Sequence, residues 1–274
     1  MWNKKSIVFI YKFSYCLKNY HMWKYQIMNK NKGFTLAEVL ITMVIIGIIA
    51  AITVPALLLT TQKKENVVRY KKALSTINQA ISRNFALHSF DMSSITSNCI
   101  NEATDNPSNI SSVCSIFNTT LLRINSYDYS KLKTEKGNLY YKDLYNKGTT
   151  SDTLIKEQGI QLYYYEMITG GIFAFHSPHK GNNTIPACSL RGRTLQEAMK
   201  DKEFQKYCIA WIDINGVKAP NKEVRCSDGK AHYGDSVTDC EVNLADITDV
   251  FPIALFDSTA LPASTAASKV IRMF

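Results

Sequence analysis

The chain has 274 residues, 46% of them apolar, and a formal charge of +9, which excludes wholesale disorder and leaves room for one or two domains with a real core. The charge does not describe a nucleic-acid binder. Residues 1–33 hold Lys4, Lys5, Lys12, Lys18, Lys24, Lys30 and Lys32 with no acid, whereas from residue 34 onward 25 bases face 23 acids, a balance of +2.

Lysines and aromatics alternate through residues 1–27 without a sustained apolar run, a pattern unlike a secretory h-region. Met28 opens a compact basic stretch, MNKNKG, and the expected translation start is Met28. No charged residue occurs in the 24 positions from Val39 to Gln62. A membrane helix needs about 20 apolar residues, so this segment is long enough to span. Lys30 and Lys32 precede it, which places the N-terminus in the cytoplasm and the bulk of the chain outside. The run exceeds an h-region of roughly 7 to 15 residues, and no small-x-small cleavage site follows before Lys63. Within it Gly47 weakens the helix, and Pro55 cannot donate to the carbonyl of Ala51, so a bend is expected there.

Glu38 is the anomaly of the segment. A carboxylate at membrane depth costs a few kcal/mol and calls for a partner, unless it snorkels to the headgroups. A cut between Gly33 and Phe34 would place a new α-amino group about one helical turn from it.

The hexapeptide Gly33-Phe34-Thr35-Leu36-Ala37-Glu38 and the apolar run behind it resemble the class III signal of type IV pilins and of type II secretion pseudopilins. The resemblance covers roughly residues 28–62. It implies cleavage after Gly33 by prepilin peptidase, N-methylation of Phe34, and subunit registry through Glu38. The partners implied are that peptidase, other pilin or pseudopilin subunits and an inner-membrane assembly platform. It also implies a bacterial inner-membrane protein that later enters a filament.

Beyond Lys63, Val67, Tyr70, Leu74, Ile77 and Ile81 step by three and four, and Phe85 and His88 extend the face. This amphipathic stripe continues the helix to about Leu87 and packs on a sheet or partner helices, with Lys63, Lys64, Lys71 and Lys72 making the opposite face basic. Residues 91–136, rich in Ser, Asn, Thr and Asp, read as a loop-dominated connection. Strand signals begin near Tyr140, and a hairpin is expected from Ile160–Ile168 and Gly171–Phe175 across Thr169-Gly170. Thr194 to Lys206 reads as a helix with Thr194 and Glu197 as a capping box, and Tyr207 to Ile214 as a strand ending at Asn215-Gly216. The fold class is α+β: a long N-terminal helix, half membrane and half amphipathic, on a small antiparallel sheet. The expected organisation is a leader at 1–33, a membrane or filament-core helix at 34–62, its amphipathic continuation at 63–90 and a globular domain at 91–274.

Of the seven cysteines, Cys16 lies in the leader and Cys99, Cys114, Cys188, Cys208, Cys226 and Cys240 lie beyond the apolar span. An even set on the far side of a membrane segment reads as a disulfide framework; free buried thiols are the competing view. Six cysteines allow fifteen connectivities, and nearest-neighbour pairing (99 with 114, 188 with 208, 226 with 240) is the one expected.

The run from Ala210 to Asn221 resembles the D-x-N-G-x-x-x-P-N segment of many bacterial pilin-like proteins, and Asp249-Val250-Phe251-Pro252 fits the same resemblance. It inclines the reading toward a secretion pseudopilin, with a pilus subunit left open. Asp213 and Asn215 offer oxygen ligands two residues apart, so calcium is a candidate cofactor, although D-x-N-G is more often simply a turn. No G-x-S-x-G, P-loop, H-E-x-x-H or G-x-G-x-x-G pattern is present in a fitting context. His176 and His179 flank Ser177-Pro178 as a surface loop, and Tyr163-Tyr164-Tyr165 read as strand aromatics rather than a stacking platform. The expected function is therefore assembly rather than turnover, with no nucleic-acid partner. The alternative is an anchored extracytoplasmic enzyme or binding module.

Overall fold

The computed structural model describes residues 33–95, 112–121, 123–128, 161–177, 188–216, 218, 220–234, 239–244 and 247–273. Helix α1 runs Leu36–His88 and contains Pro55. The chain divides into two compact units, Met1–Pro55 and Ala56–Phe274.

In the first unit, Leu36–Pro55 is long and apolar enough to cross a membrane, and none of it is buried. Phe34, Leu40, Ile46 and Ile52 all project outward. Polar atoms in the helix are satisfied locally: the hydroxyls of Thr42 and Thr53 donate to the carbonyls of Val39 and Ile49, both at 2.9 Å. An apolar exterior with an internally satisfied backbone is what a lipid or helix-bundle environment demands.

The second unit is built on a six-stranded sheet of order β1-β2-β3-β4-β5-β6, every neighbour antiparallel. The strands are β1 Arg123–Asp128, β2 Gln161–Met167, β3 Ile172–Ser177, β4 Ile209–Asp213, β5 Val250–Phe256 and β6 Thr259–Pro262. Among the described residues four short α-helices accompany them: α2 Val113–Thr120, α3 Leu195–Ala198, α4 Lys202–Cys208 and α5 Thr265–Ile271. The α+β class is as expected.

The helical stripe packs as its spacing requires. Val67, Tyr70, Leu74, Ile77 and Ile81 are all buried, with Ala73 and Ala80 between them, and Tyr70 stacks on Phe251 with ring centroids 4.1 Å apart. The stripe ends earlier than its periodicity suggests: Phe85 is 47% exposed and His88 is exposed, because the chain turns away through Ser89 at positive φ. Nor is the basic face simply solvated. Lys63 donates to the Ile247 carbonyl and Lys71 to the Met273 carbonyl at 3.0 Å. Asn78 accepts from the Ala260 N–H at 2.7 Å and donates to its carbonyl at 2.8 Å, so it pairs with edge strand β6 as a further strand would.

The β2–β3 hairpin has the expected register, Tyr163 opposite Phe175 and Tyr165 opposite Phe173. Tyr163, Tyr164 and Tyr165 are buried, and Tyr165 donates to Asn118 at 2.6 Å. Three departures from the sequence reading have clear causes. The helix expected over Thr194 to Lys206 is two, α3 and α4, because Asp201 caps a new start by accepting from Glu203 N–H at 3.0 Å; the Thr194–Glu197 capping box is present. Residues 207 and 208 belong to α4, so β4 begins at Ile209. A strand, β1, lies in the stretch read as loop, paired to β2 rather than marked by its own composition. The strand signal near Tyr140 lies outside the described residues.

Candidate functional site

Gly33 and Phe34 are exposed and lie ahead of the helix, which begins at Leu36. Thr35 is its N-cap. The Thr35 hydroxyl accepts from the Glu38 N–H at 3.3 Å, and the Glu38 carboxylate accepts from the Thr35 N–H and hydroxyl, both at 3.1 Å. This is a reciprocal capping box, the local device that satisfies orphan helix N–H groups. Its signal in the sequence is the pattern T-x-x-E, which gives Glu38 a local role besides any reach toward an amine. In one chain its carboxylate closes the helix start and sits beside the positive end of the helix dipole.

Two glycines of this unit answer to no demand of the fold. A Cβ added at Gly33 or at Gly47 would meet nothing within 4 Å, and neither backbone adopts a positive φ. Glycine in a helix interior costs roughly 1 kcal/mol relative to alanine.

The second candidate site, the D-x-N-G phrase, is organised by a residue outside it. The Asp249 carboxylate is fully buried and accepts three N–H bonds, from Asn215 Nδ2 at 2.9 Å, Asn221 N–H at 2.8 Å and Lys222 N–H at 2.8 Å. Its pKa is pushed up by burial, the larger influence, against those three donors. Asp213 accepts from the Asn215 N–H at 3.2 Å, and the Asn221 amide donates to Asp213 at 3.2 Å and to the carbonyls of Lys218 and Gly216 at 2.8 and 3.1 Å. Asn221 holds φ 46°, a left-handed conformation that asparagine tolerates. Gly216, at φ +69°, lies where a Cβ would come 2.7 Å from the Gly170 carbonyl, so the approach of the two turns requires glycine at 216.

At the two calcium candidates of the sequence, the Asn215 Oδ1 is buried with no partner among the described residues, whereas the carboxylates around it are engaged. The oxygens of Asp213 and Asp249 already face N–H groups, which a cation would have to displace. Among the described residues a second grouping, Cys226, Asp228 and His232, has metal-like spacing, but Cys226 is bonded to Cys240 and its sulfur is not a ligand. His232 instead pairs with Asp228 at 2.6 Å. The side chain of His176 and all of His179 fall outside the described residues.

Cys188 is bonded to Cys208 across 20 residues, and Cys226 to Cys240 across 14. Cys114 is also disulfide-bonded, while its expected partner Cys99 lies outside the described residues.

One titratable cluster was not visible in the sequence. Glu223, 4% exposed, takes a hydrogen bond from the Tyr233 hydroxyl on Oε1, and its Oε2 has no partner. Burial, chiefly, raises its pKa to about 7, with Tyr233 and Arg225 pulling the other way.

Residues 28–54 match the family model described as Prokaryotic N-terminal methylation motif, the prepilin signature of type IV pilins and pseudopilins. No curated protein and no solved structure matches the chain. The motif and the apolar helix together mark a membrane-anchored, single-pass chain.

Proposed function

We propose that this chain is a pilin-like structural subunit, cut between Gly33 and Phe34 by prepilin peptidase, methylated on Phe34 and assembled through its apolar helix into a pseudopilus or pilus. The observation that carries the reading is the motif match at residues 28–54, ending in a helix whose apolar surface is wholly exposed. Gly33 fits it well: the fold asks nothing of that position, whereas a peptidase pocket built for the smallest residue would. The capping box adds a mechanism. Cleavage leaves Phe34 N-terminal, and its ammonium lies four residues from Glu38, whose carboxylate either stays on Thr35 or turns to the amine of a neighbour. In a low-dielectric bundle such a pair neutralises two charges that lipid would penalise. Pro55 and Gly47 would let the helix bend and approach its neighbours within that bundle.

The outer unit is not read as an enzyme, and assembly with other pilin subunits and an inner-membrane platform completes the proposal. Mass spectrometry of the mature N-terminus tests it. The expected product begins with methylated Phe34, and Gly33→Arg leaves the precursor at full length. A processed length unchanged by Gly33→Arg would falsify the cleavage claim.

A further inference from the structure

A shallow cavity of about 220 Å³ in the second unit is lined by Arg69, Lys72 and Ala73 of α1 and by Met167, Thr169 and Ile214 at the ends of β2 and β4. Ala73, Met167 and Ile214 are buried and form an apolar floor, while Arg69, Lys72 and Thr169 form an exposed rim. Arg69 commits Nε and Nη2 to Glu65 at 3.0 and 2.6 Å, and Lys72 has no side-chain partner among the described residues. Val68 and Ile168, beside the rim in sequence, are 63% and 60% exposed. One unneutralised cation and a hydroxyl above an apolar floor suit a carboxylate carried on an aliphatic stem.

The same chain presents such a group at the same end of its sheet. β4 ends at Asp213 opposite Val250, the start of β5, and Glu223 bridges Val250, so the stretch that begins at Glu223 leaves from that end as well. There the Cys226–Cys240 loop and the residue after it expose Asp228, Asp239 and Glu241, and the loop's Ala231 and His232 carbonyls hold the first turn of α5 behind β6. In the strand order the cavity lies on the β2–β3 side of β4 and the acidic loop on the β5–β6 side. Two outer units set side by side with their sheets in a common orientation bring the loop of one to the cavity of the next.

We propose that the Arg69–Lys72 cavity receives Glu241, the residue that follows the Cys226–Cys240 loop, from a second copy, making a one-way, repeating contact between neighbouring outer units. Such heterologous contacts propagate rather than close on themselves. The inference rests on the assembly reading above and adds the surface through which it acts.

The test mixes separately expressed, isotopically light and heavy full-length chains in one reconstituted bilayer and treats them with a zero-length carbodiimide, which joins an amine to a touching carboxylate. The expected product is a light–heavy peptide linking Lys72 to Glu241. It falls at least tenfold in Glu241→Gln and in Lys72→Glu, and returns in the chain carrying both Lys72→Glu and Glu241→Lys. Light–heavy links elsewhere without this one overturn the contact and leave the assembly reading standing. Coupling of Lys72 to a different protein also overturns it, and no light–heavy link of any kind overturns both.

Discussion

The two units of this chain share one helix and treat their apolar side chains in opposite ways. In Leu36–Pro55 every apolar residue faces outward, and its hydrogen bonds close within the helix. From Val67 to Ile81 the apolar stripe is buried, and the flanking polar side chains of Lys63, Lys71 and Asn78 reach out to distant carbonyls. The first half is finished as a helix and unfinished as a surface; the second is finished as both. A segment of that first kind is stable only in lipid or among like helices, which is the physical content of the methylation-motif match.

The contrast can be broken most severely at Asp249. Asp249→Ala strands three N–H donors in a buried site, and a loss of about 4 kcal/mol is expected from penalties of roughly 1–3 kcal/mol each. Denaturant unfolding of the detergent-solubilised chain measures it, and processing at Gly33 is expected to be untouched. Next comes the edge of the stripe. Ile81→Ala is expected to cost about 3 kcal/mol and Phe85→Ser less than about 0.5 kcal/mol, since only the former is buried. Equal losses would mean that the stripe extends to Phe85 after all.

Glu223 offers a sharper test of the second unit. Its folded pKa of about 7 lies above the ordinary 4.5, so the folded state holds the proton more tightly. Stability from this group is full below about pH 4.5 and is lost as pH rises through 7, by about 3 kcal/mol in all. Glu223→Gln should flatten that slope, raising the melting temperature at pH 8 and leaving it nearly unchanged at pH 4. The smallest effect belongs to the first unit. Gly47→Ala should stabilise the isolated helix by about 1 kcal/mol, yet weaken cross-linking between neighbouring chains if that glycine permits close approach. Circular dichroism in micelles and cross-linking in membranes read the two effects separately.

Much of the architecture was legible in the residues because local rules are strong where they act alone. The span from Val39 to Gln62, the three-four stripe to Ile81, the hairpin across Thr169-Gly170 and the Thr194 cap each follow from spacing within a dozen residues. What was missed depended on distant chain. β5 is buried along its whole length and contains Pro252, whose missing N–H argues against a central strand, yet it lies between β4 and β6 and its carbonyl accepts from Ala263. β1 needed its β2 partner. Asp213 looked like a cation ligand because the sequence showed its oxygens and not the N–H groups that meet them, and Asn215 because its amide nitrogen's bond to Asp249 lies 34 residues away.

By itself, then, the sequence determined the delivery of this protein: a Gly-Phe junction, a T-x-x-E helix start and an uninterrupted apolar span are contiguous, so no folding is needed to bring them together. Tertiary structure alone decided the roles of the lone polar residues. Asp249 is a turn's anchor, Lys63 and Lys71 are tethers, and Glu223 is a proton-holding carboxylate, because burial and partners supplied from far along the chain set what a charged group costs and what it can do.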